Sequence, residues 1–233
     1  MTKSRFSKVL LVAGSVLIGT MSFNATSNAG SIAIGAAGTV AYVNTEATEK
    51  LKGEANNVQA DERAELGAVP SVFAQYTFGD DGFVIGIERN THDVKLVNEV
   101  KDRFDALAAS ARYAVTQTID VAVTDYTTYY VETPGLGSDT GGIYLVAGMV
   151  QATIETNEKL GTGSSYPDID VDGVKYGIGF KTGTAGGILF KIEGTYTEFD
   201  AISVNSTGSD TATTITSPGT EIGAVKLAVG YAF

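Results

Sequence analysis

The chain has 233 residues, 28 of them glycine and none cysteine, and 16 Lys and Arg stand against 27 Asp and Glu for a net charge of −11. The missing thiols exclude disulfides, thiolate chemistry and cysteine-held metals, and the acidic balance argues against nucleic acid as a partner, because binding phosphates requires clustered Lys and Arg. Beyond the first segment no apolar run is long enough for a membrane helix, yet mean hydropathy is weakly positive. Alternating strands reconcile these two facts.

Lys3, Arg5 and Lys8 precede an apolar run from Val9 to Met21 and a polar stretch ending Ser27-Asn28-Ala29. This is the layout of a secretory signal peptide: the run falls short of the roughly 20 residues that span a bilayer, and small residues sit before the cleavage point. Cleavage is expected after Ala29. Residues 30–233 then form the mature domain, with 13 Lys and Arg against 27 Asp and Glu, and no periplasmic domain is expected after Phe233.

Eight strands are predicted, over about 31–45, 71–78, 83–92, 119–133, 143–156, 173–183, 188–201 and 220–233. In the first, Ile32, Ile34, Ala36, Gly38, Val40 and Tyr42 share a face; in the second, Val72, Ala74, Tyr76 and Phe78 do. Phe83, Ile85 and Ile87 oppose Gly86 and Glu88 in the third. The fourth places Asp125 on the face of Val121, Val123 and Tyr129, which suggests a bulge or a shifted register. The fifth starts apolar on both faces. In the sixth, Val174, Tyr176, Ile178 and Phe180 oppose Lys175, Gly177, Gly179 and Lys181, and in the seventh, Ile188, Phe190, Ile192, Gly194 and Tyr196 oppose Lys191, Glu193, Thr195 and Thr197. The eighth sets Phe233, Tyr231, Val229, Leu227 and Val225 against Ala232, Gly230, Ala228, Lys226 and Ala224. One face suits lipid and the other a tight interior, the period-two pattern of a transmembrane barrel strand.

The connections alternate in length. Long polar links are expected at 46–70, 93–118, 157–172 and 202–219, and short ones at 79–82, 134–142 and 183–187. Both termini then lie on the periplasmic side with the short turns. In the second long link Val97, Val100, Phe104 and Leu107 recur at helical spacing, so residues 94–109 form either a short helix over the barrel mouth or extensions of the flanking strands.

The whole mature chain resembles the small eight-stranded OmpA/OmpX-like transmembrane barrels of bacterial outer membranes. The terminal strand carries this best: Val229, Tyr231 and Phe233 at alternate positions, ending on an aromatic, are similar to the signal such proteins present to the barrel-assembly machinery. The resemblance implies an all-β, eight-stranded, antiparallel up-and-down transmembrane barrel in a Gram-negative outer membrane. Its implied partners are outer-membrane lipids, the assembly machinery during biogenesis and an unknown external partner. The family is defined by fold and terminal signal, so no catalysis and no cofactor is expected.

Candidate chemistry is sparse. His92 with Asp93 falls near the outer rim, but a catalytic His needs a nucleophile or acid cluster converging on it. Asp168, Asp170 and Asp172 before Gly173 match the opening of a calcium loop and make a candidate for weakly bound calcium in the third external loop; the twelfth position is Gly179 where a bidentate Glu would complete the motif. The Gly135–Gly142 region lacks the helix a phosphate cradle needs. Inside the barrel, Glu88, Glu155, Lys191, Glu193 and Lys226 are expected to pair, because an eight-stranded interior is just wide enough to be filled by side chains. A structural or surface-interaction role follows, the alternative being a narrow porin-like channel for small solutes.

Overall fold

The computed structural model describes residues 30–50, 58–79, 82–108, 111–138, 141–156, 165–182, 187–207 and 214–233. The segment expected to be a signal peptide, residues 1–29, lies outside them. The described chain is all strand: β1 (Ser31–Lys50), β2 (Val58–Thr77), β3 (Val84–Asn90), β4 (Val94–Ala108), β5 (Ala111–Glu132), β6 (Leu136–Ser138), β7 (Gly141–Thr156), β8 (Ile169–Thr182), β9 (Ile188–Phe199), β10 (Ile202–Asn205), β11 (Thr214–Ser217) and β12 (Thr220–Ala232). No helix among the described residues is long and apolar enough to cross a membrane.

Eight of these strands, β1, β2, β3, β5, β7, β8, β9 and β12, form one antiparallel ring, closed because β1 pairs with both β2 and β12. Closure satisfies every ladder without leaving an edge, the condition for strands to cross lipid. Partner to partner around the ring, Ile34 leads to Ala74, Ile87, Tyr129, Met149, Val174, Glu198, Glu221 and back to β1 at Asn44, a shear of ten residues. With strands about 4.8 Å apart and about 3.3 Å per residue, this gives a tilt of about 40° and a backbone radius of about 8 Å, a lumen that side chains can fill.

The period-two pattern sorts inside from outside as expected. On β12, Val225, Leu227, Val229 and Tyr231 are exposed while Lys226, Ala228 and Ala232 are buried; on β9, Ile188, Phe190 and Ile192 are exposed while Lys191, Glu193, Thr195 and Thr197 are buried. The outward apolar belt continues through Ile32, Ile34, Val40 and Tyr42 on β1 and through Tyr176, Ile178 and Phe180 on β8. Exposed apolar side chains on this scale have no place in water and define a lipid-facing band. Edge-to-face pairs Tyr76–Phe78 and Tyr231–Phe233 mark its terminal end.

The fourth strand holds the anticipated irregularity. Pairing of β5 with β7 shifts between Thr124 and Thr127, and Asp125 takes a φ of 52°. This bulge turns Asp125 outward, where Arg89 donates to its carboxylate, and returns Thr128, Tyr130 and Glu132 to the interior.

The strands outrun their sequence-based limits at the long-loop end. Most of 46–70 is ladder, since β1 and β2 remain paired out to Lys50↔Val58. Residues 94–108 are strand β4, paired to β5 from Val94↔Val123 to Ala108↔Ala111, so the extension reading holds and the helical one does not. The third and fourth links also carry strand, in the start of β8 and in β10 and β11, and the 134–142 turn contains β6. The reason is physical: above the membrane a ladder no longer needs an apolar face, so its composition reads as loop while its backbone pairing continues.

Candidate functional site

Alternation on five strands, β3, β5, β8, β9 and β12, brings seven charged side chains into the lumen, and six of them form ion pairs. Lys226 from β12 bridges two acids, with its Nζ 2.7 Å from Glu88 Oε2 and 2.6 Å from Glu193 Oε2. Ser71 donates to the other Glu88 oxygen at 2.7 Å, and Tyr144 donates its hydroxyl to Glu193 Oε1 at 2.6 Å. Lys191 from β9 donates to Glu132 and, at 2.7 Å, to Gln75 Oε1; Lys181 stands 3.8 Å from Glu132 Oε2. Tyr130 donates to Gln75 Oε1 at 3.2 Å. Lys191 is also held over three rings, those of Phe73, Tyr130 and Tyr144 at 5.4–5.6 Å. Charges taken out of water are stabilised by pairing and hydrogen bonding, and each of these six has at least one oppositely charged partner within 4 Å.

Glycines make room for the rings. Tyr130 lies against Gly86, its register partner on β3, and Tyr144 against Gly179, its partner on β8; a β-carbon at either glycine would overlap the ring. The layer therefore closes the lumen with side chains locked by pairing, by ring contacts and by steric fit. Toward the termini it rests on Ala33, Ala37, Phe73, Leu189, Ala228 and Ala232. Toward the long loops the interior turns apolar, with Val150, Ala152, Val171 and Phe199 packed among Val123, Tyr126, Ile154, Ile169, Ile202 and Ile222. A partly open cavity of about 100 Å³ lies there, bounded below by Glu88, Lys175 and Lys226.

Of the charges expected inside, Glu88, Lys191, Glu193 and Lys226 come together in this layer. Glu155 does not. Its neighbour Ile154 takes the interior position, and the half-buried Glu155 accepts from Thr124 Oγ1 at 3.2 Å on the other face. The sequence gives no local sign of this, because β7 is apolar on both faces where its phase must be set. Glu132, Lys175, Gln75, Tyr130 and Tyr144 complete the lumen and were not singled out. Glu132 and Tyr130 share a parity with Thr128 once the bulge is placed, and Lys175 stands on the Gly177 face of its strand.

The three aspartates fall differently from a calcium loop. Asp170 and Asp172 belong to β8, where Thr153 donates to Asp170 at 3.0 Å and Gln151 to Asp172 at 3.3 Å; Asp168 is exposed just before the strand. Among the described residues no group of three or more His, Cys, Asp or Glu is arranged to hold a metal ion. His92 sits exposed at the break between β3 and β4, its Nδ1 3.0 Å from Thr91 Oγ1. Val229, Tyr231 and Phe233 of the terminal signal all face outward.

No protein-family model matches the chain, and no curated protein matches it. Among solved structures, the outer membrane protein OprG from Pseudomonas aeruginosa superposes with a TM-score of 0.57 at 18% identity, over 88% of this chain and 97% of that one. Ail, the attachment invasion locus protein of Yersinia pestis, is matched at a TM-score of 0.41 and 14% identity, over 88% of this chain and 97% of that one. Ring closure, an outward apolar belt and the likeness to OprG together give the fold: this chain is a closed, eight-stranded antiparallel β-barrel of the outer-membrane type.

Proposed function

We propose that the protein is an integral component of a Gram-negative outer membrane with a structural or surface-interaction role, acting through its external end and conducting nothing through its lumen. The observation that carries this reading is the layer of Lys226, Glu88, Glu193, Lys191 and Glu132 with Tyr130 and Tyr144, which fills the barrel from wall to wall. A porin needs a wet, continuous path, whereas these groups are spent on one another. The outward belt and the export signal support the location. The extended ladders of β1–β2 and β4–β5 support an external role, since they carry polar strand well beyond the lipid-facing band.

Single-channel recording of the purified protein in planar bilayers tests this. Quiet membranes, with insertion verified by heat-modifiable migration in gels, are expected. Reproducible conductance steps that vanish when Lys191 is replaced would establish the channel reading in its place.

A further inference from the structure

The lumen above the ion-pair layer combines largely apolar walls with one ammonium that no carboxylate of the layer holds in an ion pair. Lys175 reaches inward from β8 and is buried, only 8% exposed, at the boundary of the cavity. Lys181, Lys191 and Lys226 each face a carboxylate. Among the described residues Lys175 makes no hydrogen bond and no ion pair. The charge inventory agrees: Glu88, Glu132 and Glu193 supply three negative charges, and Lys175, Lys181, Lys191 and Lys226 supply four positive ones. Of these lysines Lys175 and Lys226 line the cavity, and Lys226 is already engaged by Glu88 and Glu193. Glu88 and Glu193 attract Lys175 through space without hydrogen-bonding it, so part of the cost of holding an ammonium away from water is left uncompensated. A monoanion in the cavity would relieve that cost.

The walls specify the rest of the ligand. Val123, Tyr126, Ile154, Val171, Phe199 and Ile222 form much of the wall, with Thr195 and Thr197 among the polar remainder, so what accompanies the anionic group is mainly apolar. An enclosed cavity of about 150 Å³ accepts benzene; this one, about 100 Å³ and partly open, accepts a chain of about three or four carbons. Glu88 also bounds the cavity but is engaged by Lys226 and Ser71, and the exposed Asp200 lines its far side, so the anionic end is directed away from Asp200 and toward Lys175. We propose that the external half of the barrel is a binding site for a short-chain aliphatic monocarboxylate, with its carboxylate on Lys175 Nζ and its alkyl chain between Val171, Ile154 and Phe199. The site needs no passage through the layer beneath it and stands independently of whether the lumen conducts.

The test is a titration of the folded, full mature chain in dodecylmaltoside with butanoate, following methyl signals of Val171 and Ile154 by NMR. Saturable shifts are expected, with butanol at least tenfold weaker and Lys175→Met at least tenfold weaker than the unaltered protein. Ala41→Phe provides a second variant: Ala41 lines the cavity, and the larger ring fills it while leaving Lys175 in place. It too should abolish the shifts. Heat-modifiable migration verifies the fold of each variant, and if Lys175→Met does not fold, Ala41→Phe and the butanol comparison decide. The proposal is overturned if butanoate gives no saturable shift, if butanol or inorganic phosphate binds as tightly, or if a folded variant binds butanoate unchanged.

Discussion

At the scale of residues, the lumen is governed by the difference between removing one charge and removing a balanced set. Lys226→Met would leave Glu88 and Glu193 facing each other without their shared cation, and denaturant unfolding from lipid vesicles is expected to show a loss of about 3–5 kcal/mol. Adding Glu88→Gln to that variant should restore most of it, because a balanced pair is then removed and Glu193 keeps Lys191, 3.9 Å away. Gly86→Ala tests steric fit in the same way: the added methyl displaces Tyr130 and should cost about 1–3 kcal/mol, a penalty that largely disappears in a Tyr130→Leu background. Much of this layer was legible in the sequence because Lys191, Glu193 and Lys226 interrupt otherwise clean apolar alternation. Glu155 was misplaced and Glu132 and Lys175 passed over for one reason. Parity decides which face a residue takes, and on β5 and β7 parity depends on a bulge and on a strand phase that no single residue announces.

At the scale of elements, each transmembrane strand needs one apolar face only over the height of the lipid. Arg at Leu227, in the middle of the β12 run, should therefore cost about 2–4 kcal/mol in the same unfolding assay, whereas Arg at the exposed Ser203 of β10 should fall within about 0.5 kcal/mol of the unaltered protein. The bulge in β5 offers a second comparison. Asp125 has a positive φ that glycine adopts freely and β-branched residues resist. Asp125→Val should accordingly be less stable than Asp125→Gly by about 1–3 kcal/mol, although both lose the contact with Arg89. The eight membrane strands and the bulge were predictable because apolar periodicity is set by lipid. The upper reaches of β1, β2, β4 and β5 were not, since backbone pairing outside the membrane leaves no periodic trace and the spacing of Val97, Val100, Phe104 and Leu107 mimics a helix.

At the scale of the whole molecule, closure, shear and filling are linked. Eight strands with a shear of ten residues leave a lumen that a layer of Tyr, Lys and Glu side chains spans, so the barrel is held together across its axis as well as around its circumference. The most direct test of this sorting is an NMR measurement of nuclear Overhauser contacts between detergent acyl chains and the protein's methyl groups. Val225, Leu227, Val229 and Ile192 should show strong contacts, and Val84, Val146 and Val150, at 0%, 4% and 0% exposure, should show none. Acyl-chain contacts to the second set, or their absence from the first, would contradict a closed barrel with its apolar belt outside and its charged layer within.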